Sequence, residues 1–395
     1  MNFVNPIAIT MWDFSWLERR WSGAGFEDWD LVLDELVDRG YNAVRIDAFP
    51  HLTGDDPDKE RTLVPIWTIH NYGCPYLLNV NMKSALIEFI QKCKIRNVKV
   101  ALSSWYREDT DDLRMKITSP EKMAEIWIKT IELIDKAGLL SSILFVDICN
   151  EWPLSIWAPY FYAAQNTENQ DAVAFMSKND WSPDISMSYM KKVIEIVRKE
   201  YPDIPLTFST CNTDLSLFVD HDLSFMDFIE HHIWMTMAND FEFMVEINAS
   251  KHPYFEGKEA HYEDEYRRMS DNISKVYDSR PEYWNDCLVR DIKTLAANVE
   301  SKKMSLVTTE SWCIIMYKDF PGLTWEWIKA VNSIGVQTAL NTGRWWAVTT
   351  SNYTTPQQIG MWREVEWHRE QTAKIKSAKV AKDILNERII KAMTF

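Results

Sequence analysis

The sequence is poor in glycine and proline and lacks any long hydrophobic run. Its 11 Gly and 15 Pro in 395 residues exclude a collagen-like or low-complexity chain. No stretch of 18 apolar residues occurs, so no segment is predicted to span a membrane. The N-terminal residues 1–6 have neither the basic region nor the apolar core of a signal peptide, which favours a cytoplasmic protein. A secreted protein whose signal peptide has been removed is the alternative.

Basic residues and paired cysteines are also scarce. The chain has 43 Lys and Arg against 58 Asp and Glu, which gives a formal net charge of −15. Nucleic acids and anionic membranes need clustered basic side chains, so neither is an expected partner. The six cysteines form no CxxC pair, which argues against a zinc site or a redox motif and favours reduced thiols. These patterns leave the oligomeric state open.

Aromatic residues are abundant instead. The chain contains 19 Trp, 15 Tyr and 17 Phe. An indole is difficult to bury completely because its N–H needs a hydrogen-bond partner. The excess of Trp therefore predicts aromatic walls around a ligand.

Short apolar runs alternate with amphipathic helices along most of the chain. Eight such runs are predicted as buried parallel strands, at Ile7–Met11, Ala43–Ile46, Val98–Leu102, Ile143–Ile148, Pro205–Phe208, Phe228–His232, Ser305–Thr308 and Val336–Leu340. The alternation predicts an α/β fold, a single (β/α)8 TIM barrel over residues 1–377. The rival is an open doubly wound sheet, which usually has a glycine-rich turn after its first strand. The segment Trp12–Trp21 has no such turn.

The surplus length is predicted to lie in long βα loops and in the C-terminal tail. The long loops are Ala48–Asn79, Trp152–Pro183 and Thr236–Glu282, and they are rich in aromatic residues. Loops of this length in a compact domain are usually functional. Residues 378–395 continue an amphipathic pattern and are predicted as an extra helix packed on the barrel.

Two predicted strands end in a glutamate. The fourth run leads to Asn150-Glu151-Trp152, and the seventh leads to Glu310-Ser311-Trp312. Strands four and seven face each other across an eight-stranded barrel, so Glu151 and Glu310 can flank one scissile bond. Carboxyl groups ~5–5.5 Å apart would give the geometry of a retaining glycosidase. One such glutamate alone would be better explained as an ion-pair partner.

With these motifs the sequence resembles clan A glycoside hydrolases, in particular the cellulase-like relatives of family 5. The resemblance spans roughly residues 6–365. It implies that Glu151 is the general acid/base and that Glu310 is the nucleophile. The clan also has an Arg near the end of strand two, and Arg45 matches it here. A His-x-aromatic motif on strand six of the clan is matched by His232-Ile233-Trp234.

The resemblance also implies supporting roles, each with a physical reason. Arg45 would bond the carboxylate of Glu310 and keep it ionised. Asn150 would hydrogen-bond the sugar 2-OH. His232 and Trp234 would orient the nucleophile. An aromatic residue at the end of strand eight, Trp345 or Trp346, would form the floor under the sugar.

Further strand-end side chains are candidates for substrate contacts, with ordinary loop packing as the alternative. They are Asp47, His51, Trp105 and Asn212. Glu151 is expected to be protonated at rest, since burial and the charge of Glu310 both raise its pKa. An acidic pH optimum follows from this expectation.

The predicted function is retaining hydrolysis of a β-linked oligosaccharide or glycoside, with no cofactor and no metal. Two alternatives remain at this point. Glu151, His232 and Glu310 could instead be the ligands of a metal-dependent sugar isomerase barrel. The chain could also be a carbohydrate-binding barrel without turnover.

Overall fold

Eight parallel strands form a closed ring in the computed structural model, which describes residues 2–68, 72–164, 183–211, 215–247, 262–314 and 323–394. The strands are β1 (Ile7–Met11), β2 (Ala43–Asp47), β3 (Lys99–Ser103), β4 (Ile143–Asp147), β5 (Leu206–Thr207 and Ser209–Cys211), β6 (Ile229–Trp234), β7 (Leu306–Thr308 and Ser311–Trp312) and β8 (Trp345–Val348). The strand residues are almost all buried, because helices cover the outside of the ring.

The ring closes at two places that an open sheet would leave unpaired. The first half of β5 pairs with β4, and its second half pairs with β6. Strand β8 pairs with β1, with Ala347 opposite Ile7. The prediction of a (β/α)8 TIM barrel is therefore confirmed, and the doubly wound alternative is excluded.

One helix follows each strand on the outside of the barrel. These helices are α1 (Trp29–Asp38), α2 (Met82–Ile95), α3 (Pro120–Lys136), α4 (Pro183–Glu200), α5 (Leu217–Asp220), α6 (Pro281–Asn298), α7 (Glu326–Thr342) and α8 (Val365–Ser377). Side-chain caps fix several starts: Asp28 accepts hydrogen bonds from two backbone N–H groups of α1, and Ser119 accepts one from α3.

The predicted eighth strand, Val336–Leu340, was wrong. This segment is the C-terminal half of α7, and the true strand β8 begins at Trp345. Helix α7 ends at Thr342, where Gly343 adopts a positive φ of 68° and caps the helix.

The C-terminal tail closes the bottom of the barrel, at the N-terminal ends of the strands. It forms a strand (Val380–Ala381) paired with Phe3–Val4, a 3₁₀ turn (Lys382–Ile384) and a short helix (Glu387–Ala392). The expected continuous helix over 378–395 was therefore wrong. Tail side chains such as Ile389 pack with Ile7 and Leu144 at the barrel base.

The βα loops contain further short elements. An antiparallel pair (Arg61–Leu63 with Leu78–Val80) lies in the loop after β2. Short helical segments lie at Ser15–Glu18, Pro50–Thr53, Leu113–Lys116, Pro159–Ala164, Met235–Met237, Ala238–Glu246 and Ile359–Trp362. The loop after β6 also holds an 18-residue helix, Tyr262–Ser279, and a 3₁₀ turn at Leu140–Ser142 precedes β4. All six cysteines belong to the described residues and are buried, without a disulfide. No helix in the described part of the chain is long and apolar enough to cross a bilayer.

Candidate active site

A pocket of about 620 Å³ opens at the C-terminal end of the barrel, where the βα loops meet. Aromatic side chains form much of its wall: Phe14, Trp67, Tyr72, Trp105, Trp157 and Trp234. Five polar side chains enter it from four strand ends: Asp13, Asn150, Glu151, Glu310 and Asn352.

Glu151 and Glu310 face each other in this pocket. One carboxylate oxygen of each lies within 4.8 Å of the other. Glu151 lies four residues after the end of β4, and its backbone N–H donates to Ser209 Oγ at 2.9 Å. Glu310 lies between the two segments of β7. Both side chains are nearly buried, with residue exposures of 5% and 6%.

Arg45 is the cation at the centre of the site. Its guanidinium is fully buried and donates to Glu310 Oε1 at 3.0 Å and to Asn150 Oδ1 at 2.7 Å. It also forms an ion pair with Asp147, the last residue of β4. Burial lowers the pKa of Arg45, but the surrounding carboxylates outweigh burial and raise it above its ordinary value. Arg45 thus stays charged and holds Glu310 in place.

Asp147 and Ser209 complete the bonding around Arg45, and neither was predicted as a site residue. Asp147 accepts hydrogen bonds from the backbone N–H and the hydroxyl of Ser209, at 2.7 and 2.9 Å. Ser103 donates to the same carboxylate at 2.6 Å. The sequence signal that could have identified Asp147 is its position two residues beyond Phe145 in the same strand. This spacing places both side chains on the inside of the barrel.

His232 lies between two carboxylates. Its Nδ1 is 3.1 Å from Glu151 Oε1, and its Nε2 is 3.5 Å from Glu230 Oε1. Burial lowers the pKa of His232, but the charge of Glu310 and the hydrogen bonds with Glu151 and Glu230 raise it to about 10. His232 therefore contacts Glu151, whereas the resemblance implied contact with the nucleophile Glu310.

The resting protonation differs from the predicted one. Burial raises the pKa of Glu151, but the hydrogen bond and charge of His232, with the N–H of Trp157 at 3.1 Å, bring it below 4.5. Burial raises the pKa of Glu310 to about 7, although His232 and Arg45 oppose this rise. The expectation that Glu151 is protonated at rest was therefore wrong, because the imidazolium beside Glu151 could not be foreseen.

Trp105, Trp234 and Asn150 line the pocket with the two glutamates. Trp105 stacks on the Arg45 guanidinium, with its ring centroid 4.6 Å away. The indole N–H of Trp234 donates to Asn352 Oδ1 at 3.3 Å. The buried Nδ2 of Asn150 has no hydrogen-bond partner within the described ranges, so it can donate to a ligand.

Asp47 and His51 lie behind the pocket wall. Asp47 accepts hydrogen bonds from the backbone N–H groups of Phe49 and Trp105, at 2.7 and 3.0 Å, and so fixes two loops. Burial raises its pKa to about 7. His51 Nε2 is 2.8 Å from the carbonyl oxygen of Arg107. Neither residue lines the pocket, so the structure does not place either of them in contact with the space that a sugar would occupy. Asn212 lies outside the described residues.

Trp345 does not form the floor of the pocket, and neither does Trp346. Trp345 begins β8 instead of following its end, and its ring packs against Trp312 with centroids 6.4 Å apart. Trp346 lies lower in the barrel interior, edge-on to Phe145 and Phe228. The wrong position of the predicted eighth strand caused this error. Trp345 and Trp346 follow the predicted strand, but they are the first two residues of the observed β8.

The end of the true β8 contributes Asn352 instead. Asn352 Nδ2 donates to the hydroxyl of Tyr72 at 3.2 Å, which links the loops after β8 and β2. Asp13 lines the pocket beside strand β1, and burial raises its pKa to about 8. Both Asn352 and Asp13 are polar residues that follow the end of a strand, β8 and β1 respectively. That position is the sequence signal by which both could have been identified.

Glu151, His232 and Glu310 can also be considered as metal ligands, since one donor atom from each lies within 4.8 Å of the others. A metal requires a neutral imidazole nitrogen. Each ring nitrogen of His232 instead faces a carboxylate, which favours the protonated ring. The donor set therefore fits an ion-paired cluster better than a metal centre.

Comparison with known proteins agrees with this architecture. The family model for sugar-binding cellulase-like proteins matches residues 9–376. A candidate glycoside hydrolase from Parabacteroides distasonis ATCC 8503 is 41% identical, covers 98% of this chain and 99% of its own, and has a TM-score of 0.87. The structure of ZgEngAGH5_4 in complex with a cellotriose covers 94% of this chain and 95% of its own; at 9% identity and a TM-score of 0.50, it shares the fold alone.

None of the curated proteins matches the chain. The resemblance to cellulase-like glycoside hydrolases that the sequence indicated is confirmed by the family match and by the 41% identical relative. The chain belongs to the sugar-binding cellulase-like family.

Proposed function

We propose that this protein is a retaining β-glycoside hydrolase, with Glu151 as general acid/base and Glu310 as nucleophile. The approach of the two carboxylates to within 4.8 Å across an aromatic pocket carries the proposal. Retaining enzymes place their carboxyl groups ~5–5.5 Å apart, whereas inverting enzymes need ~6.5–9.5 Å to admit a water molecule. The short separation therefore favours double displacement.

In the first step, the Glu310 carboxylate attacks the anomeric carbon and the bond to the leaving oxygen breaks. Glu151 gives a proton to that oxygen. The ion pair with His232 suggests the source of this proton: Nδ1 passes it to Glu151 as the leaving group departs. His232 is then neutral, Glu151 is ionised, and the sugar is esterified to Glu310.

In the second step, ionised Glu151 takes a proton from water, and the water oxygen attacks the anomeric carbon. The ester bond to Glu310 breaks, and the proton returns through Glu151 to His232. Arg45 stabilises the carboxylate of Glu310 whenever it is ionised, through their 3.0 Å ion pair. Asn150, held by Arg45 through its oxygen, has an amide N–H₂ available for a sugar hydroxyl.

A second candidate function is a sugar-binding barrel without turnover. The resting protonation favours it, because the raised pKa of Glu310 and the lowered pKa of Glu151 are the reverse of what hydrolysis requires. The proposed hydrolase avoids this obstacle if Glu310 is ionised above about pH 7 while His232 still holds its proton.

Aryl β-glycosides test the proposal directly. We expect hydrolysis of at least one of the glucoside, mannoside, galactoside or xyloside. Glu151→Gln and Glu310→Gln should each lower the turnover rate by about 10³-fold or more with the fold intact. Glu326→Gln, at a side chain that is 81% exposed on α7, is the matched control and should not change the rate. Sugar binding without turnover in the native chain would favour the binding barrel.

A further inference from the structure

Glu230 is a buried carboxylate that lies beside His232 but does not line the catalytic pocket. It belongs to β6 and precedes His232 by two residues, so both side chains point into the barrel. The side chain of His231, between them, points outward, and its Nδ1 is 2.8 Å from the hydroxyl of Thr210. Glu230 therefore lies deeper in the barrel than the ring of His232, and it faces Nε2, whereas Glu151 faces Nδ1.

Side chains from three strands surround the carboxylate of Glu230. Its Oε1 accepts a hydrogen bond from the hydroxyl of Thr309, between the two segments of β7. The same oxygen is 3.5 Å from His232 Nε2 and 4.0 Å from Arg45 Nε. Burial raises the pKa of Glu230, but the charge of Arg45 and the hydrogen bonds of His232 and Thr309 bring it below its ordinary value. Glu230 therefore stays ionised and does not take the proton of His232.

The charged groups near His232 come from several strands. They are Glu151 after β4, Glu310 in β7, Glu230 in β6 and, through its shared contact with Glu230, Arg45 in β2. Cys211 at the end of β5 is neutral, because burial raises the pKa of its thiol well above the usual range. In the proposed mechanism Glu151 exchanges a proton and Glu310 becomes esterified. Of these three carboxylates, Glu230 is the one whose charge is the same in both steps.

We propose that Glu230 is a positioning residue of the hydrolase, whose constant negative charge holds the proton on His232 until Glu151 receives it and then sets the tautomer of the neutral ring. This inference rests on the proposed function and goes beyond it. After Nδ1 has given up its proton, the remaining proton is on Nε2, which faces Glu230. Nδ1 can then accept the proton that returns from Glu151 in the second step. Glu230 acts through His232 and does not contact the sugar.

Glu230→Gln tests this role, because it removes the charge and keeps the shape of the side chain. Arg45 retains its ion pairs with Asp147 and Glu310, so the nucleophile should stay in place. The first readout is the titration of His232, followed by NMR of the imidazole nitrogens, which does not depend on turnover. The signal of His232 is identified by its loss in His232→Gln. We expect the pKa of His232 to fall from about 10 by one pH unit or more in Glu230→Gln.

The second readout is kcat/KM as a function of pH. Its alkaline limb should move to lower pH in Glu230→Gln, by about as much as the NMR titration does. A purely structural role of Glu230 would lower the rate at every pH and leave this limb in place. Glu230→Asp keeps the charge and should recover at least half of the shift. Glu326→Gln, at a side chain that is 81% exposed, is the matched control and should leave both readouts unchanged.

Glu151→Gln supplies the test if Glu230→Gln does not fold. It removes the charge that faces Nδ1 and leaves the charge of Glu230 facing Nε2, so the pKa of His232 should remain above its ordinary value of 6.5. A neutral ring at pH 6.5 in Glu151→Gln would overturn the proposal, as would an unchanged titration of His232 in Glu230→Gln. Failure of the proposed function would appear differently, as absent hydrolysis of aryl glycosides by the native chain.

Discussion

The candidate site is a cluster of ionisable side chains that are almost completely shielded from solvent. Arg45 and His232 are surrounded by Asp147, Glu230 and the glutamate pair, and the side chains of all of these residues are less than one-tenth exposed. In such an environment, removing one partner leaves an uncompensated charge and costs about 3–5 kcal/mol. Each protonation state of the cluster therefore depends on the others.

The pKa directions predict a neutral-to-alkaline rate profile. The nucleophile must be ionised, so kcat/KM should rise as the pH increases through about 7, the pKa of Glu310. The proton for the leaving group must be present, so kcat/KM should fall as the pH increases through about 10, the pKa of His232. Measuring kcat/KM from pH 5 to 11 checks this profile. A single optimum near pH 5 would contradict it.

Substitution of His232 tests whether this side chain holds the proton that the leaving oxygen receives. His232→Gln removes the positive charge beside Glu151, so the pKa of Glu151 should rise and the alkaline limb should move to lower pH. The readout is the pH dependence of kcat/KM. His221→Gln, outside the pocket lining, is the control and should keep the native profile. An alkaline limb that stays near pH 10 in His232→Gln would show that His232 does not supply the proton.

The acidic pair and Arg45 were predictable from the sequence, because each lies in or near the C-terminal part of a recognisable strand. The partners of these residues inside the barrel were not predicted. Asp147 contacts Arg45, and Glu230 contacts both Arg45 and His232, because closure of the ring brings these strands together. The spacing of strands along the sequence does not show such contacts. The reversed pKa shifts of the two glutamates have the same origin, since they depend on which glutamate His232 touches.

At the level of elements, α7 explains the largest error. The segment Val336–Leu340 is short, apolar and partly β-branched, so it resembles a buried strand. The buried residues of α7 instead follow a helical spacing: Trp327, Ile328, Val331, Asn332, Gly335, Val336 and Ala339. Gly335 lies inside this helix.

Gly335 has a packing role that a strand prediction could not supply. A Cβ atom at Gly335 would overlap the indole of Trp312, the residue two positions after Glu310. We expect Gly335→Ala to lower the free energy of unfolding by about 1–3 kcal/mol, despite the better helix propensity of Ala. Chemical denaturation measures this change. Gln337→Ala, exposed on the same helix, is the control, and equal stability of both variants would contradict this packing role.

At the level of the whole molecule, the barrel was predictable because the strand–helix alternation extends over most of the chain. The fold of the tail was not predictable, because its apolar spacing fits a helix and its true partners are distant in the sequence. Its strand pairs with Phe3–Val4, and Arg388 and Asn386 both bind Asp227, which precedes β6. Such long-range contacts leave little local signal.

The tail is expected to stabilise the whole barrel. Ile389 is fully buried in the cluster that closes the barrel base. Ile389→Ala should therefore lower the free energy of unfolding by about 2–5 kcal/mol. Ile95→Ala, at a residue that is 82% exposed, is the matched control and should change it by less than about 0.5 kcal/mol. Similar midpoints for both variants in urea unfolding would contradict a structural role for the tail.

Covalent trapping tests the central claim, that Glu310 is the nucleophile of a retaining mechanism. The native chain is incubated with the 2-deoxy-2-fluoro β-glycosyl fluoride of the sugar that it hydrolyses, and the labelled peptide is identified by mass spectrometry. We expect one added sugar per chain, attached to Glu310, and no label in Glu310→Gln. A label on another residue, or turnover with no covalent adduct, would contradict it.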